Sequence, residues 1–158
     1  MVSPLIVCNN FLKRSFNEHQ PITPMKLQKL IYFLYALYLY KYESFLFSER
    51  FEVWRYGPVI SEIFQYFKQY EANAIDEYAL INNEIYEVNE ENNNFCESIN
   101  LVWKKLSVYS GTQLSNFTHK KETAWYKADM RGDTFLIDGE IKLDGERFFE
   151  PKREDYTG

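Results

Sequence analysis

The stretch TPMKLQKLIYFLYALYLYKY, residues 23–42, decides the fold. Its eleven residues from Leu30 to Tyr40 carry no charge, side-chain amide or glycine. Three structures suit such a run: a membrane span, a coiled coil and a core helix. The run is shorter than the roughly 20 apolar residues of a spanning helix, and no heptad is sustained around it. A helix that is apolar nearly all round is a buried one, so we predict a core helix over residues 23–41.

Capping signals predict where this helix and its neighbours begin. Thr23 is a suitable N-cap, and Pro24 follows in the first helical turn. Ser110 and Gln113 have the spacing of a capping box. Together with apolar residues at helical spacing, such signals predict four further helices, over about 3–16, 58–67, 95–106 and 110–118.

Short aromatic and β-branched runs predict a small sheet beside the helices. Phe51–Tyr56 has strand propensity, and Gly57 permits the chain to turn sharply after it. Tyr78–Ile81 and Glu84–Val88 flank Asn82-Asn83, which favours a β-hairpin that pairs with the first strand. The predicted class is therefore mainly α, of the α+β type, with a small sheet or hairpin.

The C-terminal region offers two interpretations. Segments 135–137, 140–143 and 146–149 are separated by Asp-Gly pairs, which favours a meander of strands; a short helix from Asp138 is the alternative. Residues 151–158 are polar and are predicted to form a loose tail. Because no long linker or repeat divides the chain, we expect one domain over residues 1–150.

Charge argues against one class of partner, and cysteine content indicates the cellular compartment. The formal net charge is −5, and no basic cluster is denser than Lys120-Lys121 or Lys13-Arg14. Nucleic-acid binders usually carry a basic footprint, so direct nucleic-acid binding is disfavoured. Cys8 and Cys96 form no CxxC pair, which favours reduced thiols in a cytoplasmic protein. The acidic residues of segment 84–91 form either a solvated face or a docking surface for a basic partner.

The sequence contains few groups arranged for catalysis. Its two cysteines and two histidines, Cys8, Cys96, His19 and His119, lack the spacing of zinc ligands. Glu122 lies three residues after His119, and we favour a structural hydrogen bond between them over acid–base chemistry. We therefore predict a protein that is not an enzyme and that uses no metal or cofactor.

Trp54 and Tyr56 flank Arg55, and this triplet has two interpretations. An aromatic pair around an arginine is typical of recognition hot spots. Alternatively, side chains alternate along a strand, so that Trp54 and Tyr56 point into the core and Arg55 points outward. We favour the alternating arrangement.

An ordered set of motifs runs along the chain: residues 22–32 (ITPMKLQKLIY), 45–47 (FLF), 52–59 (EVWRYGPV), Leu114-Ser115, Thr118-His119 and Trp125. In this order and spacing they resemble the Panacea domain, the SocA-like or GepA-like family common in prophages and bacterial genomes. They span roughly residues 5–130. The sequence departs from the family pattern at Ala124, where a proline is usual. Its two late Asp-Gly pairs also do not resemble the closing helix of the family.

The resemblance implies an antitoxin that binds a protein toxin encoded nearby, in one relative as an adaptor that delivers the toxin to an ATP-dependent protease. The short apolar run argues against a membrane partner, and the net charge of −5 argues against direct nucleic-acid binding. Carried onto this chain, the candidate partner-binding residues are Lys26, Lys29, Trp54, Arg55, Tyr56, His119 and Trp125. The candidate structural residues are Thr23, Pro24, Leu27, Gln28, Gly57, Pro58 and Thr118. We expect Lys26, Lys29 and His119 to form a polar groove, or alternatively a buried hydrogen-bond network. The competing class is a prophage-encoded enzyme or a nucleic-acid-linked regulator.

Overall fold

The computed structural model describes residues 1–150 and places the predicted core helix at its centre. Within these residues the elements follow in the order α1 (Pro4–Glu18), α2 (Pro24–Tyr42), β1 (Glu52–Trp54), β2 (Gly57–Val59), α3 (Ser61–Phe67), α4 (Asn94–Leu106), α5 (Gly111–Thr118), α6 (Ala124–Arg131) and α7 (Asp138–Phe149). A 3-10 turn, Lys68–Tyr70, follows α3. The prediction of a mainly α protein with a small sheet is confirmed.

Helix α2 is buried on all sides, as its apolar run predicts. Every residue from Lys26 to Leu37 is buried, and helices α1, α4, α5 and α7 all pack against it. Thr23 caps its start, because the Thr23 hydroxyl accepts the N–H of Lys26 at 3.2 Å. None of the helices in residues 1–150 has the length and apolar character needed to cross a bilayer.

The other predicted helix starts are mostly confirmed. Ser3 caps α1, and Ser110 and Gln113 form the reciprocal capping box of α5. Helix α3 begins at Ser61 rather than at Pro58, because Pro58 lies in β2. Helix α6 was not predicted; it begins at a cap made by the hydroxyl of Thr123.

The small sheet differs from the predicted one. Strand β1 pairs antiparallel with β2, in the register Glu52–Val59, Val53–Pro58 and Trp54–Gly57. The predicted partner of β1, segment 78–88, is not a regular hairpin: it contains a single bridge, between Ile81 and Glu84. Asn9 and Asn10 of α1 supply the reason, because their side-chain amides bind backbone groups of this segment.

The predicted C-terminal meander is wrong, and the alternative helix from Asp138 is found. Both late Asp-Gly pairs lie inside α7, which packs along α2. A Cβ atom on Gly145 would collide with the carbonyl oxygen of Ala36, so this glycine permits the close approach of the two helices. Of the predicted strands, Phe135 makes one bridge, to Glu52. The predicted tail, residues 151–158, lies outside the described residues.

Candidate functional site

The β1–β2 hairpin ends in a two-residue turn that projects its side chains outward. Arg55 and Tyr56 are both exposed, and the Arg55 guanidinium lies 5.4 Å from the centre of the Tyr56 ring. Gly57 follows with φ +119°, a conformation that favours glycine. A Cβ atom at this position would also lie 2.7 Å from Oγ1 of Thr118. Gly57 lies at a sharp turn, but this turn joins β1 to β2 and does not lead directly into the next helix as the sequence predicted.

Five side chains bind the backbone of the hairpin and of the residue after it; we call them the hairpin clamp. The Nζ of Lys29 donates to Pro58 O at 3.0 Å, and the Gln28 amide both donates to and accepts from the backbone of Ile60 at 3.0 Å. Three further contacts, from α5, α6 and the residue after α5, reach carbonyl oxygens in the turn and at the end of β1: Ser115 Oγ to Tyr56 O (2.5 Å), His119 Nε2 to Arg55 O (2.9 Å) and Trp125 Nε1 to Trp54 O (2.7 Å). The clamp fixes the turn relative to α2.

The clamp places one amine in an unusual environment. Lys29 is 1% exposed, and burial lowers its pKa to about 7, because an apolar surrounding disfavours the charged form. Lys26 is also buried, and burial lowers its pKa as well. Its Nζ donates to Ser107 O after α4 at 2.5 Å, away from the hairpin. The two lysines therefore serve different contacts.

Two cavities flank the turn. The first, which we call the apolar pocket, has a volume of about 380 Å³ and is lined mainly by carbon, from side chains that include Met25, Lys29, Trp54, Tyr56, Ile63 and Phe64. The second, of about 320 Å³, lies between the turn and α5 and is lined by residues that include Thr112, Asn116 and His119. Met25, Arg55 and Tyr56 line both cavities, so the turn forms a ridge between them. Lys26 lines neither cavity.

The structure brings together most of the predicted partner-binding residues, although not as the strand pattern predicts. Trp54 is half-buried against Phe64, with ring centres 4.7 Å apart, whereas Tyr56 is 55% exposed. The expectation that Tyr56 points into the core is wrong, because the strand ends at Trp54 and the turn breaks the alternation. The rings of His119 and Trp125 lie behind the turn, tilted by 54° to each other with their centres 4.0 Å apart.

Two other expected contacts take a different form. Glu122 does not orient His119: the ring nitrogens of His119 lie near Ser115 O and Arg55 O, and the backbone carbonyl of Glu122 accepts from Arg147. In the acidic segment 84–91, Glu87 pairs with Lys13 and Glu90 with Arg14. Burial raises the pKa of Glu90, but the hydrogen bonds from Arg14 and Asn10 outweigh it and lower the pKa overall. These two acids are therefore partly neutralised within the protein.

Three residues at the site were not among the candidate site residues predicted from the sequence: Met25 and Ser115, which lie inside the family motifs but were given no role, and Phe64. Ser115 lies four residues before His119, so both face the same side at the end of α5, and this helical spacing is a signal that points to it. Met25 and Phe64 belong to apolar patterns that are typical of any core and carry no separate signal. Among residues 1–150, no group of three His, Cys, Asp or Glu side chains is placed to hold a metal ion.

A family model described as antitoxin SocA-like, Panacea domain, matches residues 27–126, which is more than half of the chain. The chain belongs to the Panacea domain family. All five clamp residues and the whole hairpin of this Panacea domain lie within the matched range. The match supports an antitoxin-like role and, in general terms, a toxin as partner. No curated protein and no solved structure matches the chain.

Proposed function

We propose that this Panacea domain neutralises a toxin encoded beside it, by direct protein–protein contact in the cytoplasm. The observation that carries the proposal is the exposed Arg55-Tyr56 ridge, held by the hairpin clamp within the region that matches the antitoxin family. Tyrosine and arginine are among the residues enriched at binding hot spots. Because the backbone of the turn is already fixed, binding loses little further conformational entropy.

The cavities on either side give the ridge a shape suited to interdigitation. A partner that straddles the ridge can place one side chain in the apolar pocket and a second beside Thr112 and Asn116. A stable interface buries about 800 Å² per partner, so the contact must extend onto the surfaces around both cavities. Toxin inhibition by steric coverage needs no chemistry at the site.

Co-expression tests the proposal. The neighbouring gene is induced alone and together with this chain, and growth and complex formation are followed. We expect growth arrest that this chain relieves, and a stoichiometric complex on size-exclusion chromatography with light scattering. Failure to rescue growth, together with no complex, would contradict direct neutralisation.

A second arm separates simple blocking from delivery to a protease. The same rescue is measured in hosts that lack individual ATP-dependent proteases, and the toxin is followed by immunoblot. Blocking leaves the toxin level and the rescue unchanged in every host. Adaptor action instead lowers the toxin level in the wild-type host and loses rescue in one protease mutant.

A further inference from the structure

A third cavity, of about 250 Å³, opens between α2, the end of α5 and α7; we call it the basic cavity. Lys120, Lys121 and Arg147 line it, and all three are exposed. No basic cluster in the sequence is denser than Lys120-Lys121, and neither lysine has a role in the hairpin clamp. Because the chain carries a net charge of −5, this local excess of cations is unusual for it.

Two carboxylates also line the basic cavity, but they leave its lysines unmatched. Asp144 is buried, and a tyrosine hydroxyl of α2 and a backbone N–H of α6 already donate to its oxygens. Glu122 lies 4.0 Å from the guanidinium of Arg147. Among residues 1–150, no carboxylate oxygen lies within 4 Å of the Nζ of Lys120 or Lys121. The two exposed ammonium groups are therefore available to anions of a partner.

Aromatic rings lie directly beside these cations. The ring of Phe148 has its centre 5.7 Å from that of Phe117 and 4.5 Å from that of Phe33. The Nζ of Lys120 lies 5.3 Å from the centre of the Phe117 ring, and that of Lys105, from α4, lies 4.7 Å from the centre of the Phe148 ring. A cation over an aromatic face is attracted to it, so these side chains are partly oriented before any partner binds.

This combination defines the ligand by charge complementarity. Phe117 and Phe148 are half-buried, so the basic cavity offers aromatic surface and exposed positive charge side by side. An acidic side chain next to an aromatic one provides the matching pair of groups. A nucleic acid also carries anions, but the net charge of −5 opposes a long polyanion, whereas a short acidic segment meets mainly the local cations.

We propose that the basic cavity binds an acidic segment of the partner protein, with Asp or Glu carboxylates paired with Lys120 and Lys121 and an adjacent aromatic side chain packed on Phe117. This inference rests on the proposed function, because it takes the partner to be the neutralised toxin. It adds a stated chemistry, acidic and aromatic, to a contact that the ridge alone leaves unspecified.

The basic cavity adjoins the Arg55-Tyr56 ridge, so one partner can contact both. Thr118 lines the cavity, and its Oγ1 lies 2.7 Å from the position of a Cβ atom on Gly57, at the base of the ridge. The next residue, His119, binds a carbonyl oxygen of the turn, and Lys120 follows it. A stable interface buries about 800 Å² per partner, and the two features together provide a surface that extends beyond the ridge.

The test uses three dansylated, amidated peptides, titrated with the full chain by anisotropy: acidic GDEFDEG, neutral GNQFNQG and ring-free GDEADEG. In about 50 mM salt we expect GDEFDEG to bind at least tenfold more tightly than GNQFNQG and about threefold more tightly than GDEADEG. Raising the salt to about 300 mM should weaken binding of GDEFDEG about fivefold and leave GNQFNQG unchanged, because screening acts on exposed charges. Equal affinity of GDEFDEG and either counterpart would overturn the proposal.

Matched double variants assign the effect to the lysine pair. Lys120→Gln with Lys121→Gln should reduce the preference for GDEFDEG over GNQFNQG to about threefold or less. Lys13→Gln with Lys68→Gln changes the net charge equally and should keep the full preference, since both of these lysines are exposed and lie outside the basic cavity. All four side chains are exposed, and circular dichroism should show both variants folded. A full preference in the first variant would refute the pairing.

Two further measurements separate the possible partners. Binding of a fluorescein-labelled oligothymidylate as tight as that of GDEFDEG would assign the basic cavity to nucleic acid and overturn the proposal. For the toxin itself, we expect Lys120→Gln with Lys121→Gln to bind at least tenfold more weakly than the wild-type chain. Equal binding of the toxin by both chains would refute the acidic contact and leave the proposed function standing. Absence of any complex with the wild-type chain would instead contradict the proposed function.

Discussion

Asn9 and Ala79 form a reciprocal pair of hydrogen bonds across 70 residues of sequence. The Asn9 Nδ2 donates to the carbonyl oxygen of Ala79 at 2.9 Å, and the N–H of Ala79 donates to Oδ1 at 2.8 Å. The same Nδ2 also donates to Tyr86 O at 2.9 Å. Asn10 binds Val88 in the same reciprocal way. Two side-chain amides of α1 thus take backbone groups that a second strand would otherwise pair.

This arrangement predicts that Asn9→Ala destabilises the protein by about 2–4 kcal/mol, because it leaves buried backbone groups of segment 79–86 without partners. Chemical denaturation monitored by circular dichroism measures the free energy of unfolding. Asn17→Ala is the matched control: it lies on the same helix, is exposed, and should change that energy by less than about 0.5 kcal/mol. Equal effects of the two variants would show that the Asn9 amide does not hold the segment.

The contacts of Asn9 and Asn10 help to explain why some elements could be predicted from the sequence and others could not. Helix α2 and the cap at Ser110 depend on local signals, an apolar run and a short-range hydrogen bond. Both can therefore be predicted from the sequence alone. Segment 78–88 has strand composition, and its turn at Asn82-Asn83 is present, with φ of +54° and +64°. Its pairing partners, however, are amides on α1, and no local pattern encodes them.

The prediction of strands in place of helix α7 failed for a related reason. Asp-Gly pairs are strong turn signals, but burial against α2 outweighs them. At the candidate site, the family pattern located the residues and the structure supplied their relationship: Ser115, His119 and Trp125 bind the backbone carbonyls of three successive residues, 54–56. Exposure of Tyr56 depends on where β1 ends, and propensity does not place strand ends to within one residue.

Substitutions of the two glycines of α7 form a matched pair that tests its packing against α2. Gly145→Ala should lower the free energy of unfolding by about 2–3 kcal/mol, because its Cβ would press on the Ala36 backbone and separate α7 from α2. Gly139→Ala lies on the same helix with open space around the added methyl group, and it should raise stability by about 0.5 kcal/mol. Thermal unfolding of both variants measures the difference. Destabilisation by Gly139→Ala, or none by Gly145→Ala, would contradict the packing of α7.

Lys29 should make stability depend on pH. Its pKa is about 7 in the folded state and near 10.5 in the unfolded state, so between these values the unfolded chain binds more protons. The free energy of unfolding therefore rises with pH in this window, and the contribution of Lys29 is at most about 1.4 kcal/mol per pH unit. Denaturation at pH 7, 8 and 9 should show the wild type gaining stability relative to Lys29→Met at each step.

The control for this dependence is Lys68→Met, which removes an exposed lysine from the 3-10 turn. Its stability should run parallel to that of the wild type over the same pH range. If Lys29→Met also ran parallel, burial would not be depressing the pKa of Lys29.

We expect a substitution on the exposed ridge to weaken toxin binding without impairing folding. Tyr56→Ala removes a ring that is 55% exposed, while Ser115 still binds the backbone carbonyl of residue 56. We expect the dissociation constant of the toxin complex to rise at least tenfold and the midpoint of thermal unfolding to stay within about 2 °C. Tyr86→Ala is the matched control, since Tyr86 is 44% exposed on segment 78–88, outside both cavities. Calorimetric titration of both variants decides the matter: an unchanged constant for Tyr56→Ala, or an equal loss for Tyr86→Ala, would place the toxin contact elsewhere than on the ridge.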